Sequence, residues 1–114
     1  ITQKLLQYIN DNITGELTAQ KVAKELGISP YYLSHIFSSQ LNISFPSYVA
    51  QQRMIMACNL LKDSRKTVTE ISYECGFPNM RTFHRCFQKR YECTPTQWRE
   101  RSHKGTDEKL RHQL

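Results

Sequence analysis

The chain has 114 residues, enough for one domain or for two small lobes that share an element. With only four glycines and four prolines, it lacks the turn residues of an all-β protein, and composition favours an all-α fold. No apolar run is long enough to cross a membrane. The four cysteines form no Cys-x-x-Cys pair, so we expect a reducing, cytoplasmic setting.

The formal charge of +6 is concentrated in the second half of the chain. Residues 65–114 carry eleven Lys and Arg against six Asp and Glu, whereas residues 1–64 carry five against four. A basic half indicates an acidic partner, such as nucleic acid, an anionic membrane or an acidic protein. A solubilising surface has the same composition, and charge alone does not separate the two interpretations.

Apolar residues recur at helical spacing throughout the chain. In chain order the predicted helices cover 2–12, 19–26, 30–41, 45–63, 68–75, 80–91 and 95–101. Their predicted N-caps, from the second helix onward, are Thr18, Ser29, Ser44, Thr67, Asn79 and Thr94. The helix over 45–63 is apolar on more than one side, which is typical of a helix buried between two parts. We therefore expect a first lobe over 1–44, a linker helix over 45–64, a second lobe over 65–101 and a frayed polar tail over 102–114.

The helical pattern restarts in the second half, which indicates an internal repeat. Each unit is a short helix, a turn containing glycine and a second helix, the outline of a helix-turn-helix. Matching positions are 49 residues apart before the turn and 50 apart after it, so the second turn contains one added residue. The matching pairs are Val22 with Ile71, Gly27 with Gly76, Leu33 with Phe83, and Phe37 with Phe87.

Three cysteines and one histidine lie between Cys75 and Cys93, a composition that a metal site would also show. His84 and Cys86 are two residues apart on a predicted helix and point about 200° apart, so they cannot bind one metal. The three cysteines occupy positions that suit a small hydrophobic residue, and zinc sites favour close ligand pairs. We interpret these cysteines as core residues and expect neither a metal nor another cofactor.

The outward face of the helix over 80–91 contains no apolar residue. It consists of Arg81, Thr82, His84, Arg85 and Gln88. Arg can pair with guanine and Gln with adenine in the major groove, although an ordinary solvated helix face looks similar. The second helix of a helix-turn-helix is the one that enters the groove. Nearby cations that can hold phosphates are Lys89, Arg90, Arg99 and Arg101.

The equivalent face of the first unit is less basic but still suits base edges and the thymine methyl group. It consists of Tyr31, Ser34, His35 and Ser38. Tyr31 either contacts DNA or packs locally, and the sequence leaves both open.

From about Leu5 to Arg99 the chain resembles the DNA-binding domain of the AraC/XylS family of bacterial transcription regulators. The resemblance is carried by VAKELGISPYYLSHIFSSQLNISFPSYV, by QRMIMACNLLKDS and by VTEISYECGFPNMRTFHRCFQKRYECTPTQWR. One helix-turn-helix match is weak evidence, whereas two at this spacing with a linker helix and a closing Thr-Pro motif are highly specific.

The resemblance implies seven helices in two lobes and sequence-specific binding of double-stranded DNA. Recognition helices 30–41 and 79–91 would enter successive major grooves. A linker of about nineteen residues is roughly 28 Å long, against about 34 Å for one DNA turn, so closer spacing would bend the DNA. The implied base contacts are Tyr31, Ser34, His35, Met80, Arg81, Thr82, His84 and Arg85. The implied backbone contacts are Ser38, Gln88, Lys89, Arg90 and Arg99.

Asn42 and Glu92 stand where the family often has glycine. Asn tolerates a left-handed backbone better than Glu does, so we expect that turn to differ in the second lobe. Family members usually join this domain to a sensor or response-regulator domain, which we expect to precede this chain. Many are activators that contact RNA polymerase, a second expected partner.

Two other functions compete with DNA binding. A protein-interaction module would use the fold with incidental charge, and salt dependence separates it from a DNA-binding domain. Certain DNA-repair enzymes carry a domain of this family beside a reactive zinc-bound cysteine. No nucleophile–base pair or paired carboxylates appear at useful spacing, so we expect no enzymatic activity.

Overall fold

The computed structural model describes residues 1–103 of the chain. This part is all-helical, without a β-strand, as the composition predicted. Its seven helices are α1 (Thr2–Asp11), α2 (Ala19–Leu26), α3 (Pro30–Ile36) with a π-helical turn (Phe37–Leu41), α4 (Phe45–Asp63), α5 (Val68–Glu74), α6 (Met80–Tyr91) and α7 (95–103). None of these helices has the length and apolar character needed to cross a membrane.

The chain divides into two compact units, and the boundary lies inside α4, between Arg53 and Met54. The core of the first unit is Leu5, Ile9, Val22, Ala23, Leu33, Ile36, Phe37, Phe45 and Val49. The core of the second is Met54, Ala57, Leu61, Ile71, Cys75, Phe77, Phe83, Phe87 and Cys93. Because the two halves of α4 serve different cores, no single apolar stripe runs along this helix.

The predicted caps hold the two helices of each helix-turn-helix in matching positions. The Thr18 hydroxyl accepts from the Lys21 N–H at 3.1 Å, and Thr67 accepts from Glu70 at 3.1 Å, 49 residues later. At the second helices, Ser29 accepts from Tyr32 at 3.0 Å and Asn79 from Thr82 at 2.8 Å, 50 residues later. These bonds satisfy N–H groups that a helix start leaves open.

The turns between the paired helices share one backbone design. Gly27 and Gly76 adopt φ angles of +70° and +85°, a region in which an L side chain is strained. The residue after each glycine donates its N–H back into the preceding helix, Ile28 to the Ala23 carbonyl at 2.9 Å and Phe77 to Ser72 at 3.1 Å. This is the Schellman arrangement that ends a helix. The repeat with its one added residue is therefore confirmed in the backbone.

Three details differ from the sequence predictions. Asn42 and Glu92 have nearly the same left-handed conformation, with φ of 54° and 59°, so the expected difference at Glu92 is wrong. The lobes differ just before this residue, because residues 37–41 form a π-helical turn whereas α6 stays α-helical to Tyr91. In addition, α7 reaches 103, two residues into the expected tail. The rest of that tail, 104–114, lies outside the described residues.

Candidate nucleic-acid interface

Helix α6 presents one apolar and one polar face. Phe83 and Phe87 are fully buried in the second core, and their ring centroids are 5.8 Å apart. Four of the five polar residues that the sequence assigned to the opposite face are exposed, namely Arg81, His84, Arg85 and Gln88. Neither arginine forms an ion pair within residues 1–103. Both guanidinium groups are therefore available to an external anion or base edge.

The last turn of α6 carries further positive charge next to this exposed face. Lys89 and Arg90 are exposed there, and the Arg90 guanidinium carbon lies 5.9 Å from the centre of the Tyr91 ring. Cations at a helix C-terminus interact favourably with the helix dipole, and a cation over an aromatic ring gains further stabilisation. The charge of α6 is therefore compatible with a stable helix before any partner binds.

The start of α6 is less available than its middle. Met80 and Thr82 are half-buried. The Met80 sulfur lies 3.0 Å from the hydroxyl of Ser72, a fully buried residue of α5 whose hydroxyl also donates to the Thr69 carbonyl at 2.8 Å. This contact ties the first residue of α6 to α5. Of the predicted base-contacting residues, Met80 is thus partly engaged within the protein.

The first unit exposes an aromatic and hydroxyl-rich face. Tyr31 is 82% exposed, which excludes the alternative that its ring packs locally, and Ser34 and His35 are also exposed. Tyr32, which the sequence reasoning missed, is 43% exposed and occupies the slot that corresponds to Thr82. The sequence signal that could have identified Tyr32 is its position directly after Tyr31 at the start of the helix.

The π-helical turn lies directly beyond this face. The hydroxyls of Ser38 and Ser39 both donate to the His35 carbonyl, at 3.2 and 2.7 Å. Side-chain bonds of this kind compete with the helical backbone ladder and bend helices, and single π turns are frequent at functional sites. The Ser38 hydroxyl, a predicted backbone contact, is therefore directed to its own helix in this structure.

Arg99, a predicted DNA-backbone contact, is hydrogen-bonded inside the protein. Its side chain is half-buried, and its guanidinium donates to three backbone carbonyls, Leu61 at 2.9 Å, Ser64 at 3.4 Å and Lys66 at 2.6 Å. A guanidinium occupied in this way has few donors left for DNA. The sequence analysis did not anticipate this internal role, because the three carbonyl partners are distant in sequence.

The cysteines pack as the sequence analysis proposed. Cys75 and Cys93 lie in the second core, and Cys58 and Cys86 are half-buried against it. Burial raises the pKa of the Cys58 thiol, although its hydrogen bond with Tyr91 partly offsets the shift. A raised thiol pKa favours the unreactive protonated form. Within residues 1–103 no three His, Cys, Asp or Glu side chains are grouped as a metal site would need.

Comparisons with known proteins place this chain in a family. The family profile described as "Helix-turn-helix domain" matches residues 22–101. The chain is 35% identical over 107 residues to the uncharacterized HTH-type transcriptional regulator YijO of Escherichia coli, covering 94% of this chain but 38% of YijO. It is 29% identical to the regulatory protein SoxS of Salmonella typhimurium, covering 89% of this chain and 94% of SoxS.

The fold is also similar to that of a solved transcription regulator. The DNA-binding transcriptional dual regulator from Escherichia coli K-12 superposes with a TM-score of 0.78 at 28% identity, covering 88% of this chain and 95% of that one. Two helix-turn-helix units with matching caps, the profile match and these relatives agree. The chain therefore belongs to the AraC/XylS family of DNA-binding transcription regulators.

Proposed function

We propose that this domain binds a specific sequence in double-stranded DNA, with α3 and α6 as recognition helices in successive major grooves. The observation that carries the proposal is the exposed face of α6, whose arginines have no ion-pair partner among residues 1–103 while its opposite face fills a core. A helix-turn-helix places its second helix in the major groove. Two such units in one chain would let a monomer contact two adjacent half-sites.

In the second lobe, Arg81 and Arg85 are the strongest candidates for base contacts. They are four residues apart and therefore share one side of α6. Each can donate two hydrogen bonds to guanine O6 and N7. His84, Thr82 and Met80 complete the proposed base contacts, the last two through their half-exposed parts. A guanine-containing half-site suits this set.

In the first lobe, the proposed base contacts are Tyr31, Ser34 and His35. None carries a permanent charge, and the exposed Tyr31 ring can pack against a thymine methyl group. Hydroxyl groups can donate to or accept from base edges. We propose that this lobe contributes selectivity with little of the electrostatic affinity.

Backbone contacts would hold the domain in register on the duplex. We assign them to the exposed residues Gln88, Lys89 and Arg90, and to Ser38 when its hydroxyl turns from the His35 carbonyl to a phosphate. Such contacts fix orientation without carrying sequence information. Arg99 leaves this set because its guanidinium is bound to carbonyls.

The protein that contains this domain would have further partners. The chain spans 38% of the length of YijO, and we propose that an N-terminal sensor or receiver domain controls the activity of this one. RNA polymerase is the proposed partner at the promoter, which would make the protein an activator. These statements depend on the family relationship and not on a contact in this structure.

The proposal is tested by selecting a site from a random duplex pool and measuring binding by fluorescence anisotropy against a scrambled duplex across a salt series. We expect tight binding to the selected site alone, weakening steeply with salt as bound counterions are displaced. Arg85→Ala should relax selectivity at one or two positions, whereas Arg65→Ala, an exposed arginine away from α6, should leave selectivity unchanged. Absence of binding to any duplex at low salt would contradict the proposal and favour a protein partner.

A further inference from the structure

In each unit one arginine side chain, distant in sequence, donates hydrogen bonds to backbone carbonyls at the loop that precedes the helix-turn-helix. In the first unit Arg53, on α4, donates through Nε to the Ile13 carbonyl at 2.9 Å and through Nη2 to the Gly15 carbonyl at 2.7 Å. In the second unit Arg99, on α7, donates to the carbonyls of Leu61, Ser64 and Lys66. The partners lie 33 to 40 residues away in sequence.

The two arginines occupy the same place in the architecture. Each belongs to the helix that follows a recognition helix, and each holds the loop that leads into the first helix of that unit. The first loop ends at the Thr18 cap of α2, and the second ends at the Thr67 cap of α5. Both side chains are half-buried. The arrangement therefore occurs twice, on two sets of atoms that share no residue.

We call each of these arrangements a clamp: Arg53 with the carbonyls of Ile13 and Gly15, and Arg99 with those of Leu61, Ser64 and Lys66. The chemistry of a clamp requires arginine in particular. Carbonyl groups of a loop and of a helix end have no partner within the helix and need donors. A guanidinium offers several N–H donors in a fixed planar fork, so Nε and Nη2 can satisfy two or three carbonyls together. A lysine ammonium carries the same charge at one nitrogen and cannot occupy both positions. In the second unit the positive charge of Arg99 also lies near the C-terminus of α4, where the helix dipole favours it.

We propose that Arg53 and Arg99 are positioning residues, each fixing the entry of its own helix-turn-helix and so the placement of its own recognition helix. The chain of contacts in the second unit runs from Arg99 to Lys66, then to the Thr67 cap, then through the Schellman turn at Gly76 to α6. In the first unit it runs from Arg53 to Gly15, then to the Thr18 cap and α2. The effect on DNA rests on the proposed function, whereas the effect on the loops does not.

The DNA-free test is amide hydrogen exchange in the intact domain. The probes are the N–H groups of Lys21 and Glu70, which donate to the two threonine caps. Arg99→Met should speed exchange at Glu70 roughly tenfold or more and leave Lys21 unchanged, because hydrogen bonds from a charged donor are strong. Arg53→Met should do the reverse. Arg101→Met, an exposed arginine on the same helix, is the matched control and should change neither.

If Arg99→Met or Arg53→Met fails to fold, the corresponding lysine variant, Arg99→Lys or Arg53→Lys, is measured instead. The exchange rate of the same amide should then rise by less than the roughly tenfold expected for methionine. Equal acceleration at both amides would mean general destabilisation and would overturn the proposal. Exchange at wild-type rates in the methionine variants would overturn it too, and so would lysine variants that match the wild type, because charge alone would then suffice.

The DNA arm uses the selected site with one half-site scrambled at a time, at a temperature at which the variants keep the wild-type helical circular dichroism. Arg99→Met should lower discrimination at the α6 half-site roughly tenfold and leave the other half-site unchanged. Faster exchange at the Glu70 amide without a loss of discrimination at the α6 half-site would overturn the positioning role. If the wild type discriminates no site, the proposed function fails while the exchange result still decides the clamp.

Discussion

The two lobes share a backbone and differ in their exposed faces. Threonine caps, left-handed glycines, Schellman bonds and buried phenylalanines recur at offsets of 49 and 50 residues. The exposed faces have little in common, since α3 carries Tyr31, Ser34 and His35 where α6 carries Arg81, His84 and Arg85. The same backbone frame therefore carries different side chains on the exposed faces of α3 and α6.

The largest effects should come from the shared frame. Phe37 and Phe87 occupy the same slot and are both fully buried. Each substitution to alanine should lower the free energy of unfolding by about 3–5 kcal/mol, since a large cavity replaces a buried ring. Urea titration followed by circular dichroism measures both variants. In Phe87→Ala the fluorescence of Trp98, the single tryptophan, should also report the change, because its ring lies 6.4 Å from Phe87. A loss below about 1 kcal/mol for either variant would end the claim of equivalence.

The next effects should separate the two exposed faces. Arg85 and His35 occupy matching slots, and both are exposed. Arg85→Ala should weaken binding to the selected site by about 1–3 kcal/mol, and His35→Ala should weaken it less, because an imidazole ring lacks the parallel paired donors of a guanidinium. Anisotropy titrations against selected and scrambled duplexes measure both. A larger loss for His35→Ala would reverse the proposed division between the lobes.

A smaller effect is expected at the left-handed residues. Glu92 has a φ of 59° and Asn42 a φ of 54°. Glu92→Gly should stabilise the fold by about 0.5–1 kcal/mol, since the strain of a left-handed L residue exceeds the entropy that glycine adds to the unfolded chain. Asn42→Gly should change stability by less than about 0.5 kcal/mol, because Asn tolerates this conformation. Thermal melts measure the difference. Glu92→Ala is the control for charge, because alanine removes the carboxylate and keeps the strain.

The smallest effect is a pH dependence that differs between the lobes. Burial is the main cause of a raised pKa for Cys58 and Tyr91 in the second unit and for Tyr48 in the first. Because the unfolded groups lose their protons first, the contribution to stability is present at neutral pH and is lost as pH rises above the ordinary cysteine value of 9.0. Melting temperature should fall over this range, and less steeply in Cys58→Ala. An equal slope in that variant would remove the thiol from the explanation.

The sequence predicted the frame well because each signal was local. Caps such as Thr18 and Asn79 lie three residues from the N–H they accept, and Gly27 stands where its backbone needs it. Because the pattern occurs in both halves of the chain, each assignment in one unit was supported by the matching position in the other. The cysteines were assigned to the core from helical angle, from positions that suit a small hydrophobic residue and from the lack of close ligand pairs, all of which are local in sequence.

The signals that failed were those that depend on distant neighbours. Arg99 is bound to carbonyls 33 to 38 residues away, and no local pattern announces such partners. The π turn at 37–41 involves serine hydroxyls that bond back to His35, and its sequence also fits an α-helix. The strain at Glu92 was recognised, but the sequence could not show that the surrounding turn would impose the left-handed conformation regardless.

The central claim is that one chain contacts two adjacent half-sites through its two lobes. The most direct test inserts about five base pairs, half a helical turn, between the half-sites of the selected duplex and measures affinity by anisotropy. We expect affinity to fall to that of a duplex with one half-site scrambled, because the second half-site now faces the other side of the DNA. Affinity equal to that of the original duplex would mean that a single lobe supplies the recognition and would rule out binding through two half-sites.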